Sequence, residues 1–150
     1  MTAVKTLPGD SLLIQIGDGA TPTETFTHDC LINLDRTFAL GGDVTDIIIP
    51  DCDDPTIAGW KERFIDGLSG DISGEGVLHT PSVKAWFNWL VSAAAKNVRV
   101  KLNVSGALGG GYFAGAYKLQ TFSMTGPRKN TSTASIQLVS HGTLTWTDNP

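Results

Sequence analysis

Gly109-Gly110-Gly111-Tyr112-Phe113-Ala114 fits the dinucleotide pattern G-x-G-x-x-A and comes after a strand-like run, so a phosphate cradle is the first chemistry to weigh. The residues beyond Ala114 do not read as a helix, and without a helix N-terminus there is no aligned set of amides for a pyrophosphate. A flexible turn is the better reading. Asp51, Asp53 and Glu62 occupy positions 1, 3 and 12 of a calcium loop, but Pro55 replaces a ligand at position 5 and Thr56 replaces the glycine of the sharp turn. A solvated acidic loop is expected there. His28, Asp29, Cys30 and Cys52 could be drawn as a zinc site, yet neither their spacing nor a second His/Cys pair supports one. No G-x-S-x-G elbow is present, and His28, His79 and His141 sit at strand ends or turns without a telling partner. The sequence therefore predicts no catalytic, cofactor-binding or metal-binding residue and no enzyme. Arg99, Lys101, Arg128 and Lys129 are too sparse, and lack the RNA-binding signature, for a protein that reads nucleic-acid sequence.

Charge is the stronger signal. The net charge is -4. Residues 1–75 hold fourteen of the 15 carboxylates and only four basic residues, Lys5, Arg36, Lys61 and Arg63, so that half is ten charges negative. Residues 76–150 set seven basic residues, Lys84, Lys96, Arg99, Lys101, Lys118, Arg128 and Lys129, against Asp148 alone, leaving that half six charges positive. The halves either neutralise each other within one fold or present an acidic surface to the basic surface of an identical neighbour, since complementary potentials fix orientation. Composition leaves both open.

The elements that must carry these residues read as strands. Leu12, Ile14 and Ile16 alternate up to the turn Gly17-Asp18-Gly19. Ile32, Leu34, Phe38 and Leu40 form a second run that stops at Gly41-Gly42. Gly41 to Asp66 then has no clean pattern: Val44 to Ile49 could be a strand, Pro50 and Pro55 forbid its continuation, and Trp60 to Ile65 could make a helical turn. A long loop over about 41–66 is expected, of the kind that is usually functional in a compact domain. Leu68 to Leu78 alternates again, with Gly70, Gly74 and Gly76 suggesting close backbone approach.

One helix is predicted over about 81–96, with Thr80 as cap and Pro81 in its first turn. Val83, Trp86, Phe87, Leu90, Val91 and Ala94 recur at spacings of three and four, so Val83, Trp86, Phe87 and Leu90 are expected in the core. Trp60 and Trp89 fall off the apolar patterns and are candidates for an interface, where tryptophan is enriched. Val98, Val100, Leu102 and Val104 alternate with Arg99, Lys101, Asn103 and Ser105. Tyr117 and Leu119 have one parity, Phe122 and Met124 the other, which predicts a bulge near Gln120-Thr121. Ala134, Ile136 and Leu138, then Leu144 and Trp146 beyond His141-Gly142, make the last strands. At 150 residues the chain reads as one mainly β (α+β) domain, a β-sandwich or partly closed barrel with one flanking helix and an N-terminal arm over about 1–10.

No signal peptide or ~20-residue apolar span is visible, so a soluble product made in the cytoplasm is expected, with Cys30 and Cys52 as free thiols.

Gly67-Leu68-Ser69-Gly70-Asp71-Ile72-Ser73-Gly74-Glu75-Gly76, the helix from Pro81, Val98 to Leu102, Gly115-Ala116-Tyr117-Lys118-Leu119, Gly126 and Leu138-Val139-Ser140-His141-Gly142 occur in an ordered succession over residues 20–147. In that succession the chain resembles the major tail tube proteins of long-tailed bacteriophages and of gene transfer agents. The resemblance implies a structural virion protein, made in the bacterial host and located in the tail. Its hexameric rings would stack into a tube through which DNA leaves the capsid, with tape measure, terminator and distal tail proteins as further partners and no cofactor or membrane. It also implies that the long connection touches the next ring. That role falls on Asp43, Asp46, Asp51, Asp53, Asp54 and Trp60, with some of Lys84, Lys96, Arg128 and Lys129 as the basic surface they meet. Asp51-Cys52-Asp53-Asp54 matches no motif of that family. A tube wall that does not hold phosphate, Thr/Ser-rich or acidic, would suit DNA transit. The alternatives are a soluble β-sandwich binding module and the tube of a contractile tail or a type VI secretion system.

Overall fold

The computed structural model describes residues 2–150; the expected N-terminal arm begins at Met1, which lies outside the described residues. The strands are β1 (Leu12–Gly17), β2 (Phe26–His28), β3 (Arg36–Ile49), β4 (Trp60–Val77), β5 (Lys96–Leu102), β6 (Gly111–Thr125), β7 (Thr133–Ser140) and β8 (Thr145–Asp148), with one helix, α1 (Thr80–Ser92). They form one antiparallel sheet in the order β2-β1-β5-β6-β7-β4-β3, with β8 also pairing β6. The ends of the sheet curl toward each other, and the Arg36 guanidinium at the start of β3 donates to the carbonyl of Leu12 on β1. A partly closed barrel made of one sheet is thus the outcome. It is mainly β with one helix, as the alternating patterns imply.

The concave side of the curl holds Ile14, Ile72, Val98, Val100, Tyr117, Leu119, Ala134, Ile136 and Leu138, closed by Leu31 and Ile32 from the connection after β2 and by Trp86 and Trp89 of α1. The parity reversal in β6 is real: pairing with β7 passes from Leu119↔Leu138 to Thr121↔Gln137, leaving Gln120 as the extra residue. It turns Phe122 toward the core, while Met124 is 54% exposed. Gly70 on β4 and Gly115 on β6 make room for Leu144, whose methyl groups occupy the space a β-carbon would need at either position. Gly142 completes the preceding turn at φ +98°.

Three expectations are corrected. The segment 41–66 is not a loop: β3 runs through Gly41-Gly42 to Ile49, β4 begins at Trp60, and only residues 50–59 connect them. Pro50 and Pro55 both lie in that connection, where no ladder bond is lost, and Trp60 to Ile65 is strand, not helical turn. Leu34 and Leu40 are accordingly exposed.

In α1 the buried residues are Ser82, Trp86 and Trp89, whereas Phe87 is 58% exposed, Leu90 39% and Val91 67%, with Val83 half-buried. The helix carries two apolar faces, and the two indoles decide which turns inward. Trp86 lies parallel to Phe122 at 6.5 Å, the Trp86 and Trp89 rings are 5.3 Å apart, and Trp89 Nε1 donates to the Ala94 carbonyl at 2.8 Å. Indole burial outweighs that of any aliphatic side chain, and each Trp N–H needs a partner when buried. Trp89 is therefore a core residue in the subunit, not an exposed one. Finally, His79 takes the N-cap position in place of Thr80, with no side-chain cap bond, and Pro81 sits in the first turn.

Candidate functional site: an uncovered hairpin

β3 and β4 begin inside the sheet and leave it. β7 flanks the pair over Ile72 to Val77; from Ala39↔Asp71 outward β3 and β4 run on without β7, a bulge between Asp43 and Val44 interrupts their register, and Val44↔Ile65 to Ile49↔Trp60 continue as a bare two-stranded ribbon. Cross-strand partners share a face, so the register sorts the ribbon into two surfaces. One carries Val44, Asp46, Ile48, Lys61, Arg63 and Ile65; there Asp46 binds Arg63 Nε at 3.4 Å and Lys61 Nζ at 3.9 Å. The other carries Thr45, Ile47, Ile49, Trp60, Glu62 and Phe64, with Glu62 in its middle and Asp66 at its base, where the Asp66 carboxylate accepts from the Thr45 hydroxyl.

Neither surface is covered. Trp60 is 89% exposed, and Val44, Ile47, Ile48, Ile49, Ile57, Phe64 and Ile65 are all near half exposure or above it. Together they present on the order of 800 Å² of mostly apolar area, what one partner contributes to a standard stable interface. Apolar area of that size, divided between the two faces of one ribbon and its tip, marks an interaction site. β3 is also an edge strand of 14 residues, long enough to pair with another chain.

The tip holds the acidic cluster. The Asp51 carboxylate accepts from the Asp53 amide at 2.9 Å, and that of Asp54 from the Thr56 amide at 3.1 Å and hydroxyl at 2.5 Å. The hydroxyl and amide of Thr56 hold the Asp54 carboxyl below its ordinary value. The carboxylates of Asp51 and Asp54 are thus held by their own turn, and Asp51, Asp53 and Asp54 are all exposed, with Asp43 at the bulge and Asp46 engaged by Lys61 and Arg63. Among the described residues no group of three His, Cys, Asp or Glu is arranged to hold a metal, so Asp51, Asp53 and Glu62 are not brought together as a calcium loop. His28 is engaged elsewhere: its Nδ1 and Nε2 each lie 2.9 Å from a carbonyl oxygen, of Ile14 and Ile32, which ties the connection after β2 to β1. Cys30 and Cys52 are free and exposed. Gly109 closes a short 3₁₀ turn at φ +88° and leads into β6, not into a helix.

The basic residues lie away from the tip. Val77, at the far end of the 18-residue β4, pairs with Thr133 just past the β6–β7 turn that carries Arg128 and Lys129. The Leu78 amide bonds the Ser132 carbonyl at 2.9 Å, which places the start of α1, and with it Lys84, at the same end. Lys96 opens β5, with its ammonium 5.1 Å from the Trp89 ring. An 18-residue strand spans about 60 Å, so the acidic tip and the group of Lys84, Arg128 and Lys129 stand near opposite ends of one molecule, whereas Lys96, through Tyr117 and Ser140, is level with Gly70 in the middle of β4. Among the described residues the ion pairs are those of Asp46 with Lys61 and Arg63; Lys84, Lys96, Arg128 and Lys129 meet no carboxylate. The charge split is not neutralised within the fold.

The outward face of the sheet is polar. Thr37, Ser73, Gln137 and Thr121 form one row across four strands, and Glu75, Ser135 and Ser123 another. The protonated Glu75 carboxyl donates a hydrogen bond to the neighbouring Asp35 carboxylate, and this bond and then the Asp35 charge raise Glu75 above its usual range. The sequence pattern did not disclose the apolar ribbon face or the outward stripe of α1. The run Ile47-Ile48-Ile49 before a proline is the signal that could have revealed the ribbon, because alternation disappears when neither face is buried.

A profile of the phage tail tube protein family matches residues 6–146. No curated protein matches the chain. Among solved structures, the chain is similar to the tail of an empty gene transfer agent particle refined with C6 symmetry (TM-score 0.73, 16% identity, covering 95% of this chain and 99% of that one). It is also similar to the SPP1 tail tube (TM-score 0.67, 9% identity, 96% and 80%). The sheath–tube complex of an extracellular contractile injection system matches at TM-score 0.55 and 12% identity, covering 95% and 92%. Family and fold agree, and the chain belongs to the phage tail tube protein family, a structural component of the virion tail and not an enzyme.

Proposed function

We propose that the chain forms hexameric rings that stack into a hollow tail tube and conduct DNA during ejection. The observation that carries this reading is the uncovered β3–β4 hairpin in a chain of this family. A ribbon with both faces bare is poorly suited to a monomer, and a 14-residue edge strand is suited to sheets that continue from one copy to the next. The sixfold symmetry of the gene transfer agent tail supports the ring number.

In this arrangement the polar outward face of Thr37, Ser73, Gln137, Thr121, Glu75, Ser135 and Ser123 lines the conduit. The hydroxyl, amide and carboxylate groups of these rows offer phosphate no counterion-releasing cation; the same face carries Lys118 on β6 and Arg99 and Lys101 on β5, so the conduit surface that spares DNA is the part built by β3, β4, β7 and the second half of β6. The hairpin tip, with Asp51, Asp53, Asp54 and Trp60, reaches the next ring, whose basic residues Lys84, Lys96, Arg128 and Lys129 receive it. Tape measure, terminator and distal tail proteins meet the ends of the tube.

Negative-stain electron microscopy of the purified protein tests this: six-membered rings and tubes are expected. A monomer that stays a monomer at high concentration, with no ring or tube, overturns it. Tight retention of duplex DNA by assembled tubes at physiological salt would contradict the conduit.

A further inference from the structure

Besides the ribbon face that carries Asp46, two apolar surfaces are left bare, and their positions keep them from meeting within one molecule. The first is the ribbon face of Ile47, Ile49, Trp60 and Phe64. The second is the outward stripe of α1, where Lys84, Phe87 and Val91 stand at i, i+3 and i+7 with Leu90 beside them. α1 starts at the end of β4 opposite the ribbon tip, about 60 Å of strand away. Two complementary patches that lie apart on one chain make a heterologous contact, which propagates from copy to copy.

The geometry points to the outward face of α1 as the docking site for the β3–β4 hairpin tip of a second copy of this chain. This rests on the reading that the chain assembles with itself. The lengths agree: the 13-residue helix is about 20 Å long, and the ribbon from Val44 to Ile49 is also about 20 Å. The charges agree as well. The apolar ribbon face carries two acids, Asp66, whose carboxylate accepts from the Thr45 hydroxyl, and Glu62, which has no cationic partner among the described residues; Lys84 is the single charge on the α1 stripe and has no carboxylate partner among the described residues. The opposite ribbon face, by contrast, has already paired Asp46 with Lys61 and Arg63. Beyond Ile49, Asp51, Asp53 and Asp54 extend toward the basic turn of Arg128 and Lys129, which flanks the start of α1. Trp60, a large and fully presented indole, is the anchor of the contact.

Cys52 in the tip supplies the probe, since it is free and exposed. In a Cys30→Ser background, Asn88→Cys places a second thiol on the outward side of α1, and Leu108→Cys places one on the remote 3₁₀ turn as a control. Assembled protein treated with a short bismaleimide is expected to give a ladder of covalent multimers with Asn88→Cys and none with Leu108→Cys. Charge exchange is the second arm: Lys84→Glu is expected to shorten the tubes at least tenfold, and adding Glu62→Lys to restore their length. Tubes of normal length from Lys84→Glu, or no Asn88→Cys ladder from intact tubes, overturn the docking site and leave self-assembly standing. Failure of the parent chain to form rings or tubes overturns both.

Discussion

Tyr117 brings a hydroxyl into the core without a partner. Its side chain is 1% exposed, and among the described residues nothing accepts or donates a hydrogen bond at its oxygen. Burial, helped by the charge of Asp71, pushes the phenol up to about 12. Because the folded-state value lies above the unfolded one near 10, the stability that depends on a neutral Tyr117 is fully present below pH 10 and is lost as pH rises through 12. Tyr117→Phe should remove both the alkaline transition and the orphaned polar atom, raising stability at pH 8 by about 1 kcal/mol. Urea melts at pH 8 and pH 11.5 check this, and a destabilised Tyr117→Phe at pH 8 would mean the hydroxyl has a partner in solution. Glu75 has the same sign for a different reason. Its carboxyl is held up by Asp35, so its contribution is present below the ordinary glutamate range and lost as pH rises through the elevated value. Glu75→Gln keeps a donor toward Asp35 and should flatten the thermal stability of the monomer across that window. An unchanged slope between pH 4 and 7 would show that the two carboxyls do not share a proton.

At the scale of elements, α1 shows how far sequence pattern reaches. Spacings of three and four located the helix, and Pro81 its start, because those features depend on local geometry alone, but its end falls at Ser92 and not near 96, since Ala93 turns left-handed at φ 54° and Lys96 already belongs to β5. They could not rank two apolar faces, since that choice is made by Phe122 and the sheet beneath, residues distant in the chain. The parity reversal at Gln120 was readable for the opposite reason: β6 has one buried face, so a bulge leaves a trace in the alternation. The ribbon left none, because Lys61, Glu62 and Arg63 alternate with nothing buried. Trp89→Ala should therefore cost about 3–5 kcal/mol in the isolated subunit, as loss of a buried aromatic does. Phe87→Ala should cost less than about 0.5 kcal/mol, as surface substitutions do, while weakening assembly. Denaturant titration of the subunit read beside tube yield separates the two effects. Equal destabilisation by both would return Phe87 to the core.

For the whole molecule, folding and assembly draw on different residues. No side chain between Ala39 and Asp71 belongs to the core cluster, although β3 and β4 carry Leu40, Val44, Ile47, Ile48, Ile49, Trp60, Phe64, Ile65 and Leu68 bare. The fold class could be read from the alternating strands, whereas the assembly surface could not, because it becomes buried only against another copy. Its acidic tip and the basic turn at the far end of β4 remain unneutralised for the same reason. A chain built this way should keep its fold when the ribbon is removed. Replacing residues 44–66 with Asn-Gly would join Asp43 to Gly67, which already pair, through the two-residue turn that suits the twist of a hairpin. The shortened subunit should melt cooperatively within about 5 °C of the parent subunit, because the deletion touches no buried residue. It should also lose the apolar area that drives association, staying monomeric at concentrations where the parent forms tubes. Circular dichroism melts and size-exclusion chromatography read the two properties independently. A shortened chain that fails to fold would place the ribbon in the folding core, and one that still forms tubes of normal length would move the assembly surface elsewhere.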